Sequence, residues 1–336
     1  MKAFIPEEVV MNPRALEYET GKKVRAYFEN LGVPILISNR VKIEGDTPSK
    51  LYQRSKKTVF ITLNKEKKLR PCSPSADYQF SLSSSCPGHC EYCYLQTTQG
   101  EKPYIRVFVN IDEIFQVIQQ HMDDHDSDIT TFECSSITDP IPFEPMTGSL
   151  KKCIEFFGES RQGRLRFVTK YHMVDSLLDA KHNGHTTFRF SVNTDPIIQQ
   201  YEHVTSTLDQ RILAAKKAAE AGYTLGFILA PIMRYDGWKK DYERLILNIK
   251  EQLPDDSLNI SFELIQHRYT ETAKNLITSR FPNTKLDMND ENRQLKWGPY
   301  GKFKYVYKKE DSLEIKTYIS ELIQEHFKNG SIEYFT

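Results

Sequence analysis

The stretch Cys86-Pro87-Gly88-His89-Cys90-Glu91-Tyr92-Cys93 carries three thiols, with three and then two residues between them. It follows the polar run Ser81-Leu82-Ser83-Ser84-Ser85, and a short loop here can turn all three thiols toward one soft metal centre. The number of ligands matters, because a structural zinc site or an ordinary electron-transfer cluster takes four protein ligands. Three thiolates on a four-iron cluster leave one iron open to a small molecule.

Two simpler interpretations of these thiols are a zinc site and a disulfide. Zinc could be held by the three cysteines with His89, but the adjacent His89 and Cys90 cannot easily point at one ion. Six cysteines in a 336-residue chain with no secretory leader are typical of a reducing compartment rather than of disulfides. The spacing, with Tyr92 before the last cysteine, instead matches the radical S-adenosylmethionine signature. It predicts a [4Fe-4S] cluster and bound S-adenosylmethionine, a pair that generates radicals.

The composition excludes some partners. The chain has 45 Lys and Arg residues and 45 Asp and Glu residues, so it has no overall positive charge that would indicate nucleic-acid binding. A contact to nucleic acid would need a local positive patch. No apolar run approaches the roughly 20 residues that span a bilayer, and the first residues lack a signal-peptide core. We therefore expect a soluble, cytoplasmic protein without a membrane partner.

From Tyr78 onward, short β-branched runs alternate with amphipathic helices. The predicted strands are 78–83, 130–136, 165–170, 187–193, 225–231 and 260–266, and the predicted helices are 111–125, 148–157, 174–182, 207–219, 238–253 and 271–279. Six strand-helix units favour a parallel sheet with helices outside, and six are too few to close a barrel of eight. We expect an α/β fold with three segments: an N-terminal α/β extension over residues 1–76, a partial (β/α)6 radical SAM barrel over 77–280, and a C-terminal hairpin and helix over 281–336.

Polar residues follow the predicted strands. In barrels of this kind the reactive groups lie at the carboxyl ends of the strands. Besides the cysteine loop, those ends carry Ser136, Thr138, Lys170, Ser191, Asn193 and His267. Any one of them could be an ordinary polar strand end, but together around one rim they favour a ligand site.

The segment from Arg293 to Lys309 has six basic residues and no acid, interleaved with aromatic residues. Positive side chains neutralise phosphates and aromatic faces stack on bases, so the mixture suits DNA. A solvated hairpin whose aromatic residues pack on the barrel fits equally well. The candidate DNA-binding residues are Lys296, Trp297, Tyr300, Lys302 and Lys304, and a final helix is predicted over 312–327.

With these motifs in hand, the chain resembles the spore photoproduct lyase family nearly from end to end. The resemblance is carried by residues 13–18, 93–98, 102–106, 165–170, 178–184, 262–268 and 332–336. It implies a radical enzyme that repairs a thymine dimer in spore DNA, draws electrons from a donor such as flavodoxin or ferredoxin, and works in the spore core.

The resemblance also implies roles for single residues. Cys86, Cys90 and Cys93 match the cluster ligands, and Thr138, Lys170, Ser191 and Asn193 match contacts to S-adenosylmethionine. Tyr92 and Tyr94 match a pair that relays a hydrogen atom after cleavage and lies beside the cofactor. Packing beside the cluster is the simpler interpretation of that pair.

Two positions depart from the family. Ser136 stands where the lyases carry a cysteine that returns a hydrogen atom to the product radical, and a serine O–H bond is too strong to replace a thiol. Cys134 lies nearby, and two residues along a strand share a face, so we expect Cys134 and Ser136 both to point into the barrel, about 6 to 7 Å apart. Cys134 is then either a displaced donor or a buried small residue.

The second departure is Pro299, which stands where the lyases carry Arg before the tyrosine that matches Tyr300. These departures leave two alternatives: a related radical enzyme that acts on another nucleic-acid lesion or modified base, and a non-catalytic DNA-binding relative. Cys72 and Cys153 receive no role from the sequence.

Overall fold

The computed structural model describes residues 4–125, 129–255, 257–298 and 303–336. Within these residues, most of the strands belong to two sheets, one of five and one of eight strands. The smaller sheet is built mainly from the N-terminal segment, and the larger one is the curled half-barrel that the strand-helix pattern predicts.

The smaller sheet packs on the first helices. Its order is β2-β1-β3-β8-β6, and all neighbours are parallel except β6 and β8. The central strand β3 is buried at every position, as a parallel strand covered on both faces must be. The elements are β1 (Glu8–Met11), α1 (Glu19–Asn30), β2 (Ile35–Ile37), α2 (Pro48–Lys56), β3 (Thr58–Thr62), β6 (Ser83–Ser84) and β8 (Ile105–Phe108).

The larger sheet has the order β17-β14-β13-β11-β10-β9-β5-β4. All six predicted barrel strands are present, and two edge strands extend them: β17 is parallel to its neighbour and β4 is antiparallel. The bounds are β4 (Arg70–Cys72), β5 (Ala76–Phe80), β9 (Thr130–Cys134), β10 (Gly163–Thr169), β11 (Thr186–Val192), β13 (Thr224–Ile232), β14 (Ile260–Gln266) and β17 (Gly330–Phe335).

Helices connect these strands. They are α4 (Ile111–Asp124), α6 (Ser149–Glu159), α8 (Leu208–Glu220), α9 (Trp238–Gln252), α10 (Glu271–Arg280) and α11 (Lys309–His326). Their apolar residues and those of one face of the sheet form the main core, which includes Phe132, Phe157 and Phe188. The alternation of periods 2 and 3.6 in the sequence thus predicts the layered fold correctly.

The predicted helix over 174–182 is wrong, because only a 3-10 turn forms there, Asp175–Leu177. The connection between β10 and β11 must run back along the whole seven-residue strand β10, a distance of roughly 23 Å. Nine helical residues would rise only about 14 Å. The chain therefore makes the return largely in turns, which end at Asn183 and Gly184 with positive φ.

Short elements surround the cysteine loop. They are β7 (His89–Cys90), α3 (Leu95–Thr98), α5 (Glu144–Thr147), α7 (Asp195–Tyr201) and β12 (Glu202–His203). The C-terminal hairpin consists of β15 (Arg293–Trp297) and β16 (Phe303–Tyr307), and an antiparallel bridge from Tyr269 to Tyr305 ties it to the end of the barrel. No helix among the described residues is long and apolar enough to cross a membrane.

Strands cross the predicted segment boundaries in both directions. β6 and β8 follow residue 76 but complete the N-terminal sheet, whereas β17 lies beyond residue 280 but extends the barrel. The division into three segments stays a prediction about the chain's organisation.

Candidate active site

The inner face of the barrel is built from buried charges. Arg189 donates to Glu263 at 2.5 Å and also to Glu133, and Arg166 donates to Glu263 at 3.0 Å. Gly226 makes room for this group, because a Cβ there would come within 2.8 Å of the Arg189 side chain. The paired charges give the barrel a polar and firmly positioned interior.

The cysteine loop is held by backbone pairing. β7 pairs with β12, so that Cys90 lies opposite Glu202, and the Glu91 amide donates to the Tyr201 carbonyl at 3.0 Å. Gly88 lets the loop pack closely, since a Cβ there would lie 3.3 Å from the Tyr171 hydroxyl. Cys90 is buried and Cys86 and Cys93 are half-buried. The three predicted ligands are therefore brought together on one supported loop.

The donor set fits a cluster better than a single ion. Burial is the main cause of the raised pKa of Tyr52, and all three thiols add to it, so Cys86, Cys90 and Cys93 lie in the neighbourhood of one ring. Within the described residues, however, no three His, Cys, Asp or Glu side chains are arranged to hold one metal ion. A four-iron cluster needs no such convergence, because each thiolate binds a different iron.

Burial raises the pKa of Cys90 and of Cys93, so these two thiols are protonated in the metal-free chain. Burial raises the pKa of Cys93 to about 11, and Lys56 and Lys170 oppose that rise. Iron binding must displace these protons. The two lysines therefore place positive charge near Cys93.

Lys170, at the end of β10, is held in a network of buried charge. Its ammonium donates to Glu202 at 2.8 Å and to the Tyr92 hydroxyl at 3.1 Å, while Tyr92 itself donates to Glu202. Arg211 donates to the second oxygen of Glu202 at 2.5 Å. Burial raises the pKa of Glu202, but Arg211 and Lys170 outweigh it and lower the pKa to about 2. The network fixes Tyr92 within the cysteine loop and Lys170 beside that loop.

Tyr94 and Ser136 meet at the end of β9. The Tyr94 side chain is 63% exposed, but its hydroxyl donates to the Ser136 carbonyl. The Ser136 hydroxyl in turn donates to Gln79 on β5. Both predicted residues thus reach the open end of the barrel.

The expectation that Cys134 shares the inner face with Ser136 is wrong. β9 ends at Cys134, and Ser135 turns the chain with a φ of 62°. Glu133 faces the inner charges, so Cys134 faces outward with Phe132, whose ring lies 5.3 Å from that of Phe157 on α6. Cys134 is fully buried beside Cys153 in the main core, a position that favours packing, and its role as a displaced donor stays an untested prediction.

The other predicted cofactor contacts lie around the same rim. Ser191 is the penultimate residue of β11, and the Thr138 hydroxyl donates to the Ser85 carbonyl, one residue before the cysteine loop. Asn193 is fully buried, and its amide nitrogen donates to the Pro231 carbonyl at 2.7 Å. Asp139 accepts from the Lys170 amide at 2.7 Å and so orders the end of β10. Their contacts to a cofactor stay a prediction.

Sequence reasoning missed several supporting residues. Lys56 comes from the N-terminal helix α2, and Arg280 reaches Gln96 at 2.6 Å, whose amide donates to the Cys90 carbonyl at 3.2 Å. Glu202 and Arg211 were also missed. Only their burial identifies them, because single charged residues at these positions form no local pattern.

The hairpin presents its predicted residues at the surface. Lys296 lies opposite Lys304, and Trp297 opposite Phe303, with ring centroids 4.7 Å apart. Burial, Arg268 and Lys296 lower the pKa of Lys304, so three cations lie close together. Trp297 and Phe303 are exposed. Tyr300, Lys302 and Pro299 lie outside the described residues, and the predictions made for them are not tested.

Comparisons with known proteins place these features in a family. A family model described as spore photoproduct lyase matches residues 4–336. The chain is 45% identical over 338 residues to a spore photoproduct lyase of Bacillus subtilis, covering 99% of both chains, and 45% identical over 341 residues to one from Geobacillus, covering both completely. A solved spore photoproduct lyase with bound AdoMet and dinucleoside spore photoproduct matches with a TM-score of 0.95, 44% identity and complete coverage of both chains. That structure is a double mutant in which a cysteine is replaced by alanine and a serine by cysteine.

Proposed function

The chain belongs to the spore photoproduct lyase family, and on that premise we propose that it is a radical S-adenosylmethionine lyase that repairs spore photoproduct in DNA. The observation that carries the proposal is the supported loop with three thiols, on which Cys90 lies opposite Glu202, the ion-pair partner of Lys170. The substrate is 5-thyminyl-5,6-dihydrothymine, which the enzyme converts to two thymines.

Cys86, Cys90 and Cys93 would hold the [4Fe-4S] cluster. When bound together, the cluster and S-adenosylmethionine supply a carbon radical that removes a hydrogen atom. Thr138, Lys170, Ser191 and Asn193 would orient the cofactor, and Lys56 and Lys170 would offset the charge of the thiolates. A one-electron donor such as flavodoxin or ferredoxin would start the reaction.

The repair is an isomerisation. One hydrogen atom leaves the dihydrothymine ring, the bridge between the thymines breaks, and one hydrogen atom returns to the methyl carbon of the product radical. Tyr92 and Tyr94 would relay the hydrogen atom that closes the cycle. Lys296, Lys304 and Trp297 would bind the DNA on either side of the lesion by charge and stacking.

Ser136 would occupy the place of the family's hydrogen donor without its chemistry. The solved double mutant supports this placement, since its replaced serine and cysteine are as far apart in sequence as Cys72 and Ser136 are here. On this placement the chain would carry the two residue types in exchanged positions. A thiol other than one at position 136 must return the hydrogen atom.

Anaerobic reconstitution tests the proposal. The protein should bind roughly four irons per chain and give a reduced-cluster resonance that S-adenosylmethionine alters. Cys90→Ala should lose both properties, while Cys153→Ala, a buried thiol away from the loop, should keep them. The loaded protein should convert dinucleoside spore photoproduct to thymine dinucleotide. A loaded protein that leaves the dimer intact contradicts the proposal.

A further inference from the structure

A buried lysine lies beside the cysteine loop without an acidic partner. Lys56 is the last residue of α2 and is only 6% exposed. Lysine is almost never buried to this extent unless its charge is paired. Among the residues that the structure describes, no carboxylate lies within salt-bridge distance of the Lys56 ammonium, which donates to the Ser85 hydroxyl oxygen at 3.5 Å. The charge is therefore buried at a cost that an anion at this place would remove.

The contact to Ser85 brings the ammonium close to the first thiol of the loop, because Ser85 directly precedes Cys86. Ser85 is itself held firmly. Its amide donates to the Ile137 carbonyl at 3.2 Å, and its hydroxyl donates to the Pro103 carbonyl at 2.8 Å. The Lys56 charge is thus fixed one residue away from the cysteine loop.

Helix α2 contacts the loop through a second residue on the same face. Tyr52 lies one turn before Lys56, and residues four apart share a helix face. The Tyr52 ring centroid is 5.6 Å from that of His89 and 5.8 Å from the Lys56 ammonium. The Gln96 side-chain amide donates to the Tyr52 hydroxyl at 3.3 Å and to the Cys90 carbonyl at 3.2 Å. These contacts hold this face of α2 against the cysteine loop.

Two lysines act on Cys93, and only one of them has an acidic partner. Burial and then Cys86 raise the pKa of the Cys93 thiol. Lys56 and Lys170 both act to lower that pKa, so both place positive charge near the thiol. Lys170 already pairs with Glu202 at 2.8 Å. Of the two, Lys56 is the lysine whose charge no carboxylate among the described residues neutralises.

We propose that Lys56 supplies the positive charge that compensates the iron–sulfur cluster and raises its reduction potential. The proposal rests on the proposed function, because it requires a bound cluster. Three thiolates outweigh the positive charge of a four-iron core, and the electron that a one-electron reductant delivers adds a further negative charge. A buried cation nearby stabilises the reduced form more than the oxidised form. Lys56 thus makes the first electron transfer more favourable, and no proton moves in that step.

The reduction potential tests the assignment directly. The loaded protein is titrated anaerobically with dithionite and redox mediators, and the reduced-cluster resonance reports the midpoint. Lys56→Met should lower the equilibrium constant for reduction at least roughly tenfold, about 59 mV for one electron. Lys56→Arg keeps the charge and should stay close to the wild type. Lys57→Met is the matched control, because Lys57 is exposed and pairs with Glu7 at 2.6 Å, and its potential should be unchanged.

The metal-free protein gives a readout of the opposite sign. Without the cluster, the Lys56 charge is buried with no anion beside it, so its removal should not destabilise the fold. The urea midpoint of metal-free Lys56→Met should therefore equal or exceed that of the wild type. In the loaded protein, the same variant should release iron to a chelator severalfold faster than Lys57→Met does.

Three results would contradict the assignment. The first is a wild-type potential in Lys56→Met, and the second is an equal shift in Lys56→Met and Lys57→Met. The third is a urea midpoint of metal-free Lys56→Met well below that of the wild type, because the chain alone would then stabilise the lysine.

The two proposals fail in different ways. If the wild type binds the cluster and repairs the dimer while Lys56→Met keeps the wild-type potential, only the assignment of Lys56 fails. If the potential shifts as expected but the dimer stays intact, the lyase function fails and the assignment stands. If the wild type binds no iron after reconstitution, both fail.

Discussion

The Tyr94 hydroxyl donates to the backbone carbonyl of Ser136, across 42 positions of sequence. Tyr94 directly follows Cys93, the last thiol of the loop, and Ser136 follows the end of β9. The contact therefore fastens the cysteine loop to the strand end where the family's donor is expected. On the proposed function, Tyr94 would link the cluster-binding loop to the site of hydrogen return.

Tyr94→Phe should separate binding from turnover. The variant loses the hydrogen bond to Ser136 and the O–H hydrogen atom that Tyr94 would relay on the proposed function. Turnover of dinucleoside spore photoproduct should fall at least roughly tenfold, about 1.4 kcal/mol in the barrier, while dinucleotide affinity stays near the wild-type value. Tyr27→Phe, on helix α1, is the control. Equal turnover in the two variants contradicts a role for the Tyr94 hydroxyl.

Glu202→Gln should destabilise the protein strongly. The side chains of Glu202 and Arg211 are both fully buried, so the variant leaves the Arg211 charge without its partner. The free energy of unfolding should fall by about 3 to 5 kcal/mol. Urea denaturation of the metal-free protein measures it.

The exposed pair Lys217–Asp175 offers the control for Glu202. Asp175→Asn should change the free energy of unfolding by no more than about 1 kcal/mol, because solvent screens that pair. Similar effects of the two variants would show that the Glu202 network adds little to stability.

Asp139 should make stability fall with rising pH. Burial raises its pKa from 3.8 to about 6 in the folded protein, although hydrogen bonds from Lys170 and Thr169 act to lower that pKa. A raised pKa means that the folded state holds the proton more tightly. The contribution is therefore fully present below about pH 4 and is lost as the pH rises through about 6, an effect of about 3 kcal/mol.

Asp139→Asn removes this titration. The difference in the free energy of unfolding, wild type minus variant, should decrease as the pH rises from about 4 to about 7. The exposed Asp255 has its pKa lowered by Ser257, so Asp255→Asn should give a trend of the opposite sign. A pH-independent difference for Asp139→Asn contradicts the raised pKa.

The hairpin should contribute charge to DNA binding. Lys296→Gln and Lys304→Gln should each weaken binding to DNA of any sequence and reduce the slope of log affinity against log salt by about one. Lys22→Gln, an exposed lysine on helix α1, is the control. Binding isotherms over a salt series measure the slope. If the slope is unchanged in both hairpin variants, the DNA binds to another surface of the protein.

The sequence predicts the barrel well, because its strands are short runs rich in apolar and β-branched residues, and the strand 260–266 is found at its predicted bounds. The cysteine loop is equally predictable, since all its ligands lie within one segment. The edge strand β17 was missed, because its residues pair only with β14, far away in sequence.

Tertiary contacts explain the other failures. The orientation of Cys134 depends on where β9 ends and on the left-handed Ser135, which an alternation rule cannot foresee. Lys56, Glu202 and Arg211 are brought to the loop from separate elements. Cys72 likewise has no local motif, and only its pairing with β5 brings it to the edge of the barrel sheet.

The most direct test of the account is anaerobic turnover of a DNA duplex that contains one spore photoproduct, with S-adenosylmethionine and a reductant, followed by mass spectrometry of the digested strand. The account predicts that the lesion disappears and that two adjacent thymines take its place at unchanged mass. Formation of 5'-deoxyadenosine with the lesion intact would contradict it, because the radical machinery would then be working on a different substrate.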